Sequence, residues 1–435
     1  MAKFKNLTIN TQYLNFLLCL IPIAYIFGNL AINALVVSIC ILGFLIYKKQ
    51  LFFANKEAFL LPFLIFFLYI ILITFFDSLR HSSDHFLDKS FLFLRFFLFF
   101  IVINCMVKKS DFNFKYFFLS CLFFSTFVAI DVIYQSITGI DFFGNTSGIY
   151  HNSGIFGAEL IAGGYIQRFL LLGIFAIPLF LNKNQKMFII IFSLILFIGI
   201  CGIILSGNRI PMVMSIIFIT LVIIFIKELR YINLVSLAGG ILIISLAINL
   251  DSNYRQWMTS FYSNSKVIVK TVFDYEGQSK REIIWDGKKI NAMHFGSGHL
   301  VTFITALDIW NDKPIIGHGL KSMKRKCGSK IALPNRVCNN HPHNYYLEIL
   351  SDTGLLGLIL IMGPIYYLLI QRLFLIKMLD YKERFVSYAL FFALLMELFP
   401  LKSTGGFFST SSAAYIFLLL GLFLNQGIKK PIRKN

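Results

Sequence analysis

Two histidines and an asparagine crowd into four residues, His341 to Asn344, directly ahead of an apolar segment. Pro342 disfavours helix at the residue before it, and Asn344 is a suitable N-cap for the run YYLEILSDTG that follows. His343 would then lie at the positive end of a helix dipole, which keeps an imidazole neutral, as a general base must be. We predict His343 as the base, with His341 and Asn344 as substrate contacts. The alternative is that these histidines only form hydrogen bonds at an interface.

A second candidate is Arg209, in the short turn LSGNRIP between two apolar segments. Its guanidinium is a planar fork that suits phosphate oxygens. The alternative is that Arg209 binds no ligand: the aliphatic part of its side chain packs along the apolar surface, and its guanidinium stays at the membrane interface. Arg95 and Arg168 lie within apolar segments, where ionisable side chains usually face a cavity or a partner. We count both as substrate-binding candidates, with Glu159 as an ion-pair partner for one of them.

A polar segment from about Asp251 to His343 supplies further basic candidates. It holds 14 Lys and Arg residues against 7 Asp and Glu residues. Such a surface suits an anionic partner, although a solvated face or attraction to anionic lipid headgroups would give the same composition. Arg281 and His299 are the candidate substrate contacts in this segment.

Cys327 and Cys338, eleven positions apart in the same segment, are a candidate disulfide. The bond requires that this side of the membrane is an oxidising compartment, and the alternative is two free thiols. The other five cysteines lie in apolar segments and are expected to be small packing residues. The sequence has no Cys and His spacing of a zinc site, no Gly-rich phosphate loop and no HExxH motif. We therefore expect neither a metal nor a cofactor.

The composition places these residues in a helical membrane protein. Of the 435 residues, 57% are hydrophobic and 14% are charged, against about 25% charged in a soluble domain. Apolar runs of about 20 residues recur along the chain, long enough to cross a hydrocarbon core of about 30 Å. We predict an all-α polytopic fold with about twelve spans, at residues 12–27, 29–47, 58–77, 87–107, 116–135, 156–181, 188–205, 210–226, 232–249, 353–371, 385–401 and 411–427.

The formal charge of +19 does not indicate nucleic-acid binding, because Lys and Arg residues spread along a membrane protein mainly set its orientation in the membrane. Twenty Lys and Arg residues lie in the termini and in the short segments on the same side of the membrane as the termini. Only four lie in the short segments on the other side of the membrane. This bias predicts that both termini are cytoplasmic. The domains are then residues 1–250 with nine spans, 251–343 as an external domain, and 344–435 with three spans.

A neutral base and fixed cations at the outer membrane face suit glycosyl transfer from a lipid-linked sugar diphosphate. Negative charge grows on the leaving diphosphate, so guanidinium groups placed there stabilise the transition state more than the ground state. The base accepts the proton of the acceptor hydroxyl. A different class of protein, a transporter or flippase of lipid-linked glycans, would use the same arginines without chemistry.

The stretch HPHNYYLEILSDTGLLG resembles the signature of the O-antigen ligase and O-antigen polymerase superfamily. In its ligase form, that signature is His followed by Asn, Ser or Gln, then nine residues, then Gly-x-x-Gly. His343, Asn344, Gly354 and Gly357 occupy these positions. The SGNR turn resembles the short external turn that bears the family's diphosphate-holding arginine, here Arg209. DIWNDKPIIGHGLKSM resembles the family's loop pattern, and the resemblance covers the chain from about residue 131 onward.

The resemblance implies a GT-C-like helical bundle with a mostly helical periplasmic domain between spans nine and ten. It implies glycan transfer from an undecaprenyl-diphosphate-linked donor to a hydroxyl of a glycan or lipid A core acceptor, with inversion and without a metal. The site would face the periplasm from the bacterial inner membrane, and membrane lipids would be the surrounding partners. A polymerase that extends a chain, or a transferase with a protein acceptor, would use the same motifs.

The chain departs from the family pattern in the external domain. Many members carry an arginine there, a few residues before a tryptophan and ahead of the Pro-x-x-Gly-x-Gly segment. His299 and Phe303 stand near those places in this sequence. Arg281, or His299 when protonated, is therefore our candidate for the second cation at the diphosphate.

Overall fold

A computed structural model describes residues 9–51, 58–80, 86–181, 186–250, 252–273, 280–285, 288–293, 298–329, 336–403 and 405–426. These residues form a helical bundle with one two-stranded hairpin. In chain order the elements are α1 Ile9–Cys19, α2 Ile21–Ile26, α3 Asn29–Tyr47, α4 Leu61–Arg80, α5 Leu87–Lys108, α6 Phe114–Thr138, α7 Ala162–Gly173, α8 Ile177–Phe180, α9 Lys186–Leu205, α10 Arg209–Phe225, α11 Arg230–Leu250, α12 Ser252–Phe273, β1 Lys280–Trp285, β2 Lys288–Met293, α13 Gly298–Asp312, α14 Ser322–Lys326, α15 Tyr345–Leu375, α16 Tyr381–Glu397 and α17 Thr410–Leu424.

In the described part of the chain, eight helical segments are long and apolar enough to cross a membrane, judged by length and composition. Three shorter apolar helices, Thr11–Ile26, Arg209–Phe225 and Thr410–Leu424, fall at other predicted spans. The 17-residue helix α16 falls at the one that remains. The predicted class, an all-α polytopic membrane protein, is confirmed.

Phenylalanine side chains make up much of the hydrophobic core between the helices. Phe67, on α4, packs within ring-centroid distances of 5.2 to 5.3 Å of Phe93 and Phe97 on α5 and Phe417 on α17. Such helices are apolar around much of their circumference because they face neighbours on one side and lipid on the other. The result is a close-packed frame whose helix ends can hold polar groups in fixed positions.

The segment between α11 and α15, which we call the loop domain, contains α12, the hairpin, α13 and α14. The two strands pair antiparallel, from Lys280 with Met293 to Trp285 with Lys288. The hairpin adds to the mostly helical domain that the family resemblance implies. Its sequence signal is the dipeptide Asp286-Gly287 between two runs that contain isoleucine, which is typical of a tight hairpin turn.

The helix α15 is broken near its start. Gly354 has φ 66° and ψ −172°, a conformation that glycine adopts readily. The amide N–H groups of Leu355 and Leu356 donate instead to the carbonyls of Pro314 and Ile315, at 2.9 and 3.1 Å. The loop that follows α13 therefore fills the break in the helix.

Asp352 secures the same junction from inside the bundle. Its fully buried carboxylate accepts hydrogen bonds from the backbone N–H groups of Lys321 and Ser322, both at 2.9 Å, at the start of α14. The N–H of Gly319 donates to the Asp352 carbonyl at 2.8 Å. The loop domain is thus fixed to the first turns of α15, immediately after the histidine motif.

The loop between α6 and α7 is held by polar groups at the end of α6. Asp131 accepts from the N–H groups of Phe142 and Ile155, at 2.9 and 2.7 Å, and Gln135 accepts from Gly154 at 2.8 Å. The sequence places Asp131 and Gln135 on one helical face, four residues apart, and in the structure that face binds the loop. The loop is thereby laid beside the start of α10.

Candidate active site

A cavity of about 1210 Å³ opens at the end of the bundle that carries the loop domain, called here the loop-domain end. Four parts of the bundle form its wall: the turn between α2 and α3, the loop before α7, the start of α7 and the start of α10. The rest of the wall comes from α12, from α13, from the segment before α15 and from the segment after α16. The cavity brings together six of the predicted site residues, His299, His341, His343, Asn344, Arg168 and Arg209.

Three histidines form one cluster in this wall. The ring centroid of His343 lies 4.4 Å from that of His341 and 5.1 Å from that of His299. The side-chain amide nitrogen of Asn339 lies 3.2 Å from Nε2 of His343 and fixes the orientation of its ring. His343 is therefore the centre of the cluster, with an imidazole on either side.

Burial keeps these imidazoles uncharged. It lowers the pKa of His343 to about 4, and the neighbouring His341 and His299 add to the lowering because they disfavour a second positive charge. Burial also lowers the pKa of His341, with a contribution from the nearby ammonium of Lys321. The sequence predicted a neutral His343 from a helix dipole, whereas burial is the main cause in the structure.

Asn344 is the N-cap of α15, as the sequence predicts. Its side-chain oxygen accepts from the N–H groups of Tyr346 and Leu347, at 3.0 and 3.1 Å. Its amide nitrogen donates to the carbonyl of Pro400 at 2.8 Å, which ties the histidine motif to the segment after α16. His343 precedes this cap with φ 60°, a conformation that is uncommon for residues other than glycine. The cap and the strained residue before it aim the imidazole at the cavity.

Arg209 is the first residue of α10 and lines the cavity. A terminal guanidinium nitrogen donates to the hydroxyl of Ser260 at 2.8 Å, and the guanidinium lies 5.6 Å from the ring centroid of Phe261. The preceding Asn208 accepts from the N–H of Gly163 at 2.8 Å, which fixes the turn against the start of α7. The guanidinium is thus held between the bundle and α12.

His151 and Tyr150 also line the cavity, and neither was predicted from the sequence. They lie against the Arg209 turn, since a Cβ added to Gly207 would stand 2.0 Å from the Tyr150 carbonyl and 2.7 Å from Nδ1 of His151. Burial lowers the pKa of His151, with a further contribution from Arg209. Tyr150 and His151 are far from Arg209 in sequence. Their only sequence signal is that they lie in a hydrophilic segment between two spans.

Arg168 reaches the cavity as part of a buried ionic cluster. Its guanidinium binds both carboxylate oxygens of Glu397, at 2.7 and 3.0 Å. Lys402 donates to the same carboxylate at 2.5 Å, and the Tyr345 hydroxyl donates to it at 2.6 Å. The prediction that Glu159 pairs with Arg168 or Arg95 is wrong for Arg168, because Glu397 holds that guanidinium.

One predicted substrate contact, Arg95, lies away from the described cavity, and for another, Arg281, the structure gives no side-chain position. Arg95 is absent from the described lining of the cavity, and its guanidinium binds Asn33 and the carbonyl of Leu92, at 3.1 and 2.6 Å. Groups on neighbouring helices and on its own helix thus hold this half-buried guanidinium. Arg281 lies on β1, and its side chain falls outside what the structure describes.

Cys327 and Cys338 form a disulfide in the structure, with Cα atoms 5.2 Å apart. The bond joins the end of α14 to the segment that leads into the histidine motif. As for metals, the described residues contain no group of three His, Cys, Asp or Glu side chains that is arranged to hold an ion.

The fold and the site define a polytopic membrane protein in which a histidine cluster and several cations share one cavity at the loop-domain end. Residues 192–362 match the family model described as Wzy_C, O-antigen ligase. The match begins within α9 and includes Arg209, the loop domain and the histidine motif, so this part of the chain is similar to the O-antigen ligase and polymerase superfamily. That similarity suggests a glycosyltransferase-like role. A comparison with curated proteins finds no match.

Proposed function

We propose that the protein transfers a glycan from an undecaprenyl-diphosphate-linked donor to an acceptor hydroxyl on the periplasmic face of the bacterial inner membrane. The observation that carries the proposal is that His343 and Arg209, about 130 residues apart in sequence, line the same cavity. That cavity also lies at the level of the helix ends, where the headgroup of a membrane lipid would stand. It therefore suits a donor whose reactive centre is attached to a lipid.

In the proposed step, the acceptor oxygen attacks the anomeric carbon of the donor sugar. His343 takes the hydroxyl proton, the new carbon–oxygen bond forms, and the bond from the anomeric carbon to the diphosphate breaks. Attack opposite the leaving group inverts the anomeric carbon. Because its imidazole is neutral in the protein without donor, His343 is ready to accept the proton.

Arg209 holds the leaving diphosphate in this proposal. The negative charge on the diphosphate grows as the carbon–oxygen bond breaks, and a fixed guanidinium stabilises that growth. Guanidinium charge also makes a metal unnecessary for neutralising the phosphates. We therefore expect transfer to continue in the presence of a chelator of divalent metal ions.

The proposed reaction is of the ligase type, in which a whole glycan passes to a lipid A core acceptor. A polymerase of the same superfamily would perform the same bond exchange with a growing chain as acceptor. The two are separated by the product: a ligase gives one transfer per acceptor, whereas a polymerase gives a ladder of lengths. A flippase would move the donor without any new glycosidic bond.

Transfer by the purified protein with a lipid-linked glycan donor tests the proposal. We expect His343→Ala to lower kcat by about 10²- to 10⁴-fold, the range over which a general base contributes. Arg209→Ala should lower it by about 10²- to 10³-fold, and Arg209→Lys should recover part of the loss because a point charge lacks the planar fork. Gel analysis of the labelled product measures all three variants.

His341→Gln is the matched control, since it removes a neighbouring imidazole from the same cluster. We expect it to cost about tenfold or less, as an orienting neighbour rather than the base. Full activity of His343→Ala, in protein that remains in the membrane fraction, would show that His343 is not the base. Equal, mild losses for both Arg209 variants would show that Arg209 only anchors α10 at the interface.

A further inference from the structure

The ionic cluster at the floor of the cavity contains more positive than negative charge. Arg168 and Lys402 both bind the single carboxylate of Glu397. The side chains of Arg168, Lys402 and Glu397 are 16%, 5% and 1% exposed. Burying a cation without a full counter-charge is costly, so this arrangement is relieved by another anion, by water that reaches the excess charge in the cavity, or by loss of the Lys402 proton.

The two cations face the same cavity as Arg209 and His343. Arg168 lies less than two turns from the start of α7, and Lys402 lies in the segment between α16 and α17. Glu397 is the last residue of α16, so the whole cluster stands at the loop-domain end of the bundle. An anion bound by this pair would therefore share the cavity with one bound by Arg209.

Gln167 adds a polar group that lacks a partner. It is 3% exposed and lines the cavity beside Arg168. Among the described residues, no donor reaches its side-chain oxygen. A buried amide oxygen without a hydrogen bond costs about 1–3 kcal/mol, which a ligand with an O–H or N–H group would recover. The floor of the cavity is thus suited to a ligand that carries both negative charge and a hydrogen-bond donor.

We propose that Arg168 and Lys402, held in place by Glu397, form the second anchor for the diphosphate of the donor, and that Gln167 accepts a hydrogen bond from the adjoining sugar. The inference deepens the proposed function and rests on it. The second cation would then come from the bundle, whereas the candidates predicted from the sequence, Arg281 and His299, lie in the loop domain.

The charge of this anchor changes in an accessible pH range. Burial lowers the pKa of Lys402 to about 8, Glu397 acts in the opposite direction, and Arg168 adds to the lowering. These two groups, from α16 and α7, are the charged partners that face Lys402. Affinity for an anion should therefore decline as pH rises through about 8, because the ammonium loses its proton.

Binding of inorganic pyrophosphate to the full chain in lipid nanodiscs tests the anchor. Lys402→Met removes the ammonium and leaves the Arg168–Glu397 pair with balanced charge. We expect pyrophosphate to bind about ten- to a hundredfold more weakly, since a hydrogen bond to a charged group contributes that much. Lys402→Arg should stay within about threefold of the unchanged protein. Isothermal titration calorimetry measures each dissociation constant.

Lys313→Met is the control for net charge. Lys313 lies 3.8 Å from the Asp77 carboxylate and is absent from the described lining of the cavity. We expect unchanged pyrophosphate affinity for it. Equal affinities of the Lys402→Met variant and the unchanged protein would overturn the proposal, as would an equal loss in the Lys313→Met variant.

If Lys402→Met does not fold, the pH dependence of pyrophosphate binding tests the proposal in its place. The ratio of pyrophosphate affinities of the unchanged protein and Lys402→Arg should fall between pH 7 and 9.5, because arginine keeps its charge over that range. The ratio corrects for the ionisation of pyrophosphate itself. A constant ratio would show that Lys402 does not contact the anion.

Gln167→Leu tests the contact with the sugar. We expect a raised KM for the glycosylated donor with unchanged pyrophosphate affinity, and an unchanged KM would overturn this contact. Pyrophosphate binding needs no transfer, so the anchor can fail while His343-dependent transfer stands. Conversely, the unchanged protein could transfer no glycan while the Lys402 variants bind pyrophosphate as described above. That result would overturn the proposed function, and the anion-binding site would still stand.

Discussion

His343 must be uncharged before the donor binds and must gain a proton when the acceptor attacks. Its pKa of about 4 in the protein without donor meets the first requirement but makes it a weak base. The bound donor supplies two phosphates within the same cavity, and nearby negative charge raises the pKa of an imidazole. Donor binding would therefore move His343 towards the pKa that proton transfer at neutral pH requires.

The pH dependence of transfer should show this difference. We expect kcat/KM, which reports the protein without donor, to stay level from neutral pH down to about 5 and to fall only below it. The kcat profile, which reports the donor complex, should begin to fall at higher pH because the diphosphate has raised the pKa of His343. Initial rates across the acid range, at low and saturating donor, measure both profiles.

An acid limb in kcat/KM near the ordinary histidine pKa of about 6.5 would contradict this account. The residual rate of His343→Ala is the control, and it should lack the limb. Arg209 keeps its proton throughout this range and cannot produce the limb itself.

Some of these residue roles could be read from the sequence and others could not. The cap at Asn344 was predictable because its partners are two and three residues away. The Arg168–Glu397 pair joins residues 229 positions apart, and the order of helices in the bundle decides such a contact. For Arg168, the prediction of Glu159 as the partner, which is nearby in the chain, was wrong for that reason.

At the scale of elements, the broken start of α15 links the loop domain to the site. Gly354 opens the helix, and the segment from Pro314 to Gly319 occupies the opening. The sequence signature includes this glycine, a residue type that suits a kink or close packing at the start of a span. It could not show which segment fills the kink, because the partner comes from a separate part of the chain.

Gly354→Ala should destabilise this junction. A Cβ there would stand 2.2 Å from the Ile315 carbonyl oxygen, and the backbone has a φ that side chains rarely accept. Strain of this kind costs on the order of 1–3 kcal/mol before any clash. We expect a lower midpoint of thermal unfolding and reduced transfer, because the loop that braces the histidine motif must shift. Thermal unfolding in detergent, followed by tryptophan fluorescence, measures the midpoint.

Gly363→Ala is the matched control in the same helix, since a Cβ there meets no atom within 4 Å beyond its chain neighbours and its own helix backbone. Its midpoint should change little, because alanine favours helix over glycine by about 0.5–1 kcal/mol while Pro364 restricts a side chain at the residue before it. Equal midpoints for the two variants would show that the break in α15 does not depend on glycine.

At the scale of the molecule, apolar helices supply a rigid frame and their ends supply the chemistry. The starts of α7, α10 and α15 and the end of α16 each place a charged or imidazole group at one end of the bundle. Hydropathy predicts the spans because each must cover the same membrane thickness. It does not determine which helix ends become neighbours, so the shared cavity is visible only in the fold.

The structure of the protein with a non-reactive analogue of the lipid diphosphate donor tests the central claim most directly. We predict a diphosphate within hydrogen-bond distance of the Arg209 guanidinium, inside the cavity. His343 should face the anomeric carbon from the side opposite the leaving diphosphate. A diphosphate bound outside this cavity, or His343 on the same side of the sugar as the leaving group, would contradict the account.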